Sequence, residues 1–148
     1  MAVGHNKGLN ADLIGKDLEK CCRSEELCGK CQGKSCNIGF AKECISLYKK
    51  EPKKEIPTGM GQIPTTDFKV FDEVDLERAI AHILRECKDC KEDHTEDCII
   101  NVIRNCYEVS LLGDTHPYEG TALQYLMYLR ENYPRKAGDI AEFYSQGH

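Results

Sequence analysis

Leu76, Ala79, Ile80, Ile83 and Leu84 recur at i, i+3, i+4, i+7 and i+8, an apolar stripe that predicts an amphipathic helix with one face in a core. Asp72 and Asp75 are candidate caps for its start, and His82 falls off the stripe and is expected at the surface. The same period returns in Cys36, Phe40, Ala41, Cys44 and Ile45 and in Cys98, Val102, Ile103, Cys106 and Tyr107, predicting two further helices. A weaker version at Leu18, Cys21 and Cys22 predicts another, with both cysteines acting as small buried hydrophobes.

Near the C-terminus, Leu123, Leu126, Met127 and Leu129 with Tyr125 and Tyr128 almost encircle a helix, which predicts packing on more than one neighbour. Pro134 ends that helix, and Ala137, Ile140, Ala141 and Tyr144 mark a last one. Between the helical stretches, residues 49–74 hold Pro52, Pro57 and Pro64 with Gly59 and Gly61, which prevents a continuous helix. This segment reads as a solvated linker or crossover carrying Lys49, Lys50, Lys53 and Lys54, with DFKVF a candidate short strand.

Superposing the two halves adds a relation that periodicity alone misses. DLEKCCRSEELCGKCQGKSCNIGFAKEC from Asp17 parallels DLERAIAHILRECKDCKEDHTEDCIINVIRNC from Asp75: each runs Asp-Leu-Glu-base, about a helix, Cys-x2-Cys, a loop, then Cys-x7-Cys. A one-residue shift and three extra residues in the second loop complete the alignment, and four matched cysteines point to an internal duplication. The expected fold is mainly α, a small helical bundle of two pseudo-repeated helix–CxxC–loop–helix units plus C-terminal helices. Its expected layout is a flexible tail over 1–15 and one helical domain over 16–148. Within that domain unit one spans 17–48, the linker 49–74, unit two 75–110 and the C-terminal helices 120–146.

Ten cysteines in 148 residues change the picture from scaffold to chemistry. A chain of this length buries enough core to fold without cross-links. No secretory apolar run opens it and no stretch approaches the roughly 20 apolar residues of a membrane span, so a cytoplasmic, reducing setting is expected. There, close cysteine pairs point to metal ligation or redox chemistry before structural disulfides. The net charge of −5 opposes nucleic acid and anionic lipid. Residues 72–119, with thirteen acidic against five basic side chains, make unit two a poor phosphate reader.

A structural zinc takes four N or S donors at about 2.0–2.3 Å, commonly two of them from a Cys-x2-Cys knuckle. Unit two supplies Cys87, Cys90, His94 and Cys98 as Cys-x2-Cys-x3-His-x3-Cys. This is similar in ligand chemistry to retroviral-type zinc knuckles, with two loops each one residue shorter, and the acidity and flanking helices do not fit that family. Unit one supplies Cys28, Cys31 and Cys36, and its fourth donor is open among Cys21, Cys22, His5, His116, a partner segment or an exchangeable small molecule. Cys106 lies eight residues beyond Cys98, about 12 Å along a helix, too far to share a zinc whose sulfurs sit about 4 Å apart. Cys44 is excluded in the same way, and both are expected in the core.

Zinc leads as the cofactor because His94 suits it and no ferredoxin-type cysteine run is present; a 4Fe-4S cluster is the alternative. A single helix over 75–110 would instead line Cys87, Cys90, His94 and Cys98 along one face, as in Cys-lined bundles that store copper(I). No phosphate loop, nucleophile elbow or dinucleotide fingerprint appears, and His116 in a turn is expected to be merely solvated. No catalytic residue is assigned. The sequence thus points to a metal-organised module that binds another protein or itself. An iron–sulfur or thiol redox protein is the rival, and a small metalloenzyme or metal store ranks third.

Overall fold

The computed structural model describes residues 11–22, 36–51, 56, 59–63, 72–88, 98–113, 116 and 122–146, with only the backbone at Met60, Cys87 and Lys88. Among the described residues the chain is mainly α, with helices and no strand: α1 (Ala11–Cys21), α2 (Asn37–Lys50), α3 (Gly59–Gln62), α4 (Glu73–Lys88), α5 (Ile99–Leu112), α6 (Ala122–Asn132) and α7 (Pro134–Gln146). DFKVF lies outside the described residues.

The centre is built on α4 and α5. α4 packs against α1, α5, α6 and α7, and α5 packs against α2, α3 and α4. Leu76, Ala79, Ile80, Ile83 and Leu84 are all buried, as their spacing requires. Each large aliphatic side chain sealed this way contributes about 1.5–3 kcal/mol. Asp72 starts α4: its side-chain Oδ1 accepts the Asp75 N–H at 3.0 Å, satisfying one of the orphan donors of the first turn.

α1 begins inside the stretch expected to be a tail. Ile14, Leu18 and Cys21 lie on one buried stripe, so helical burial starts upstream of Asp17. The two Asp-Leu-Glu tripeptides therefore do not mark matching helix starts, because Asp17 lies in the second half of α1 and Asp75 in the first turn of α4. Lys49 and Lys50 likewise belong to α2 rather than to the linker.

Two glycines are fixed by geometry. Gly113 closes α5 at φ +88°, a left-handed cap in which its N–H donates to Val109 O. Gly59 lets α3 approach α5 so closely that a Cβ there would stand 2.9 Å from Val102 Cγ2. α6 does meet more than one neighbour: it packs on α4 and α7, and its buried Tyr125 reaches Glu108 of α5. Ala122 and Leu126 are half-buried against the core, whereas Leu123 at 68% and Met127 at 51% exposure stay in the open. Pro134 opens α7 at its first position, where a missing N–H costs nothing.

Candidate metal centre

The segments that bear the two cysteine knuckles are each bracketed by helices that pack together, α1 with α2 and α4 with α5. Cys87 falls in the last turn of α4, and Cys98 is the residue before α5, with ψ 134°. Cys36 stands in the same place before α2, with ψ 137°. Neither thiol bonds to a first-turn N–H of the helix it precedes. Backbone continuity is carried instead by the carbonyls: Phe40 N donates to Cys36 O at 2.7 Å and Val102 N to Cys98 O at 2.9 Å.

The extended ψ at Cys98 overturns a single helix over 75–110, because α5 is nucleated afresh there and lies beside α4 instead of prolonging it. Cys28, Cys31, Cys90 and His94 lie outside the described residues, as does the Cys87 side chain. Among the described residues no group of three His, Cys, Asp or Glu is placed to hold a metal ion.

The other cysteines, like Cys36 at 8% exposure, sit where core residues sit. Cys21, Cys44 and Cys106 are buried, and Cys22 is half-buried at the end of α1. Burial pushes the Cys21 thiol up to about 12, helped by the nearby charges of Asp75 and Asp17. Burial and then Glu43 push Cys44 up to about 12. Cys106 is raised well above the usual thiol value by burial first and then by the neighbouring Cys44 and Cys36. Protonated, enclosed thiols are weak nucleophiles and weak ligands. The α2–α5 interface thus gathers cysteine as packing material, and no disulfide joins Cys21, Cys22, Cys44, Cys98 or Cys106.

Two buried polar constellations escaped the sequence reading. His82 is buried at 8% exposure, not at the surface, with Nδ1 2.8 Å from Asp17 Oδ2. One stripe per helix was the wrong premise for α4, which is enclosed by neighbours on several sides. On α5, Glu108 receives Arg104 Nε at 2.8 Å, the Tyr125 hydroxyl, and the His116 backbone N–H at 2.7 Å. Arg104 in turn donates from Nη2 to His116 O at 2.8 Å, and its guanidinium lies over the Tyr125 ring.

His116 is consequently held in place through its backbone and its ring, and is not merely solvated. Its ring shares a 3.2 Å hydrogen bond with Tyr128 and meets the edge of Tyr133. The available sequence signal was Arg104 and Glu108, the two charged residues of α5, four apart, a spacing that pairs charges on one face.

No protein-family model, no curated protein and no solved structure matches the chain. Any functional reading therefore stands on these residues alone. No helix among the described residues is long and apolar enough to cross a membrane.

Proposed function

We propose that this chain is a metal-organised helical module, with zinc held in unit two by Cys87, Cys90, His94 and Cys98. In unit one zinc is held by Cys28, Cys31, Cys36 and one further donor. The metal fastens the free ends of each packed helix pair, and the resulting surface binds another protein or a second copy of the chain. The supporting observation is the placement of Cys36 and Cys98. Each closes a knuckle-bearing segment as the residue immediately before a helix, the two standing in matching places in the two units.

The duplication belongs to the same proposal. Both closing helices are 14 residues long, each follows a cysteine, and each carries a buried core cysteine eight positions after it. Cys44 and Cys106 are near neighbours across the α2–α5 contact, and α1 meets α4. Equivalent parts of two repeats pair in this way when the units pack about a local two-fold axis.

Elemental analysis with a thiol count on protein purified without oxygen tests the reading. Zinc should be stoichiometric, with the knuckle thiols unreactive until a chelator is added. Cys98→Ser should lose the zinc of unit two and lower the melting temperature, because structural zinc contributes folding free energy directly. Metal-free protein with an unchanged melt, or a visible iron–sulfur absorption, would overturn it.

A further inference from the structure

α7 docks on α4 through an interface that gathers more acid than base around Glu77. Glu77, on α4, is 1% exposed, and its Oε2 is buried with no hydrogen-bond partner. Arg135 of α7 is paired with Glu73 of α4, and one turn further along each helix stand Glu77 and Asp139, so the two carboxyls face each other across the interface. A hydrogen bond between two carboxyls requires a proton on one of them. Arg135, one turn before Asp139, faces the pair: Nη1 is 3.5 Å from Asp139 Oδ2 and Nη2 is 3.1 Å from Glu73 Oε1.

The acids thus number three, Glu73, Glu77 and Asp139, against one exposed guanidinium already shared by two of them. Charged groups on the other neighbours of α4 are engaged elsewhere. Asp17 of α1 is taken by His82, and Arg104 and Glu108 of α5 are taken by each other, by Tyr125 and by His116. α6 presents Tyr125 and Leu129 as its buried residues, with Arg130 and Glu131 exposed.

We propose that Glu77 and Asp139 form a proton-operated latch. While Glu77 carries a proton and donates it to Asp139, α7 is held tightly on α4; once both are ionised, the docking weakens. Burial, followed by the charge of Asp139, pushes the Glu77 carboxyl from its ordinary 4.5 up to about 7, with Arg135 acting in the opposite sense. The sign follows from linkage. The docked state binds the proton more strongly than the undocked one, so docking is strongest below about pH 4.5 and declines as pH rises to about 7. Above that it is weakest and flat. The rest of the α7 contact supplies pH-independent adhesion: Ile140 in the core, Arg78 over the Phe143 ring, and Arg85 Nη1 donating to Tyr144 O at 2.7 Å.

Hydrogen exchange of the α7 amides in the full-length protein, corrected for intrinsic rates and compared with Glu77→Gln, tests the latch. Wild-type protection should fall by about tenfold per pH unit between pH 5 and 7 and then level off. Glu77→Gln retains a donor for Asp139 and cannot ionise, so its α7 protection should be flat over the same range. Asp139→Asn gives an independent arm: its amide can donate to a charged Glu77, so the decline should shift to lower pH. Flat wild-type protection, or a Glu77→Gln profile parallel to wild type, would sink the latch. Because no cysteine takes part, failure of the metal reading leaves this test unaffected.

Discussion

Glu77 and Glu108 are both carboxyls enclosed between helices, one on α4 facing α7 and the other on α5 facing α6. Burial pushes both above the ordinary carboxylate value, yet their surroundings answer that cost differently. Glu108 is met by a buried cation, a phenol and a backbone N–H, three donors that suit the ionised form and pull against the effect of burial. Glu77 is met by a second acid and only a distant share of an exposed arginine. An enclosed carboxylate stays charged when donors are built around it, and is pressed toward neutrality when another acid stands there instead. The first arrangement makes a fixed joint and the second a titratable one.

Removing the cation is the most severe way to break this contrast. Arg104→Ala leaves Glu108 without its counter-charge and removes the donor to His116 O. It should cost about 3–5 kcal/mol in urea unfolding, the range for splitting a buried pair. Tyr125→Phe removes one donor while leaving the ring in place, and should cost about 1–3 kcal/mol. Arg135→Ala acts on the other glutamate and should change overall stability by less than about 1 kcal/mol, since its ion pairs face solvent. It should nevertheless raise the pH at which α7 protection levels off, because the one group that favours ionised Glu77 from α7 is gone. A leveling point that stayed fixed would show that Arg135 does not act on Glu77.

The helical class was readable because the stripe in α4 and the stripes from Cys36 to Ile45 through α2 and from Cys98 to Tyr107 through α5 repeat at the helical period, and all of those residues but the half-buried Cys98 are buried. Asp72 was recognisable as a cap for the same local reason. What sequence could not supply was the number of neighbours each helix has. His82 looked exposed because one face per helix was assumed, whereas α4 is wrapped; Leu123 and Met127 looked buried by the opposite error. Ile14 was overlooked because the helix was begun at the Asp-Leu-Glu of the repeat, although Ile14 stands four positions before Leu18 and extends its stripe upstream. The Glu77–Asp139 contact joins residues 62 positions apart, and nothing local in either helix announces it. Of the seven proposed ligands, Cys36 and Cys98 are fixed on their helix boundaries, and Cys87 only through its backbone.

A single residue, Tyr133, separates the last residue of α6 from the first of α7. Two virtual bonds of about 3.8 Å keep the Cα atoms of Asn132 and Pro134 within about 7.6 Å, and the proline ring freezes one of the few torsions between them. The terminal helix can swing on this tether but cannot travel, so each excursion ends with the same side chains facing the same groove. Re-engagement is then a local, concentration-independent search measured in ångströms.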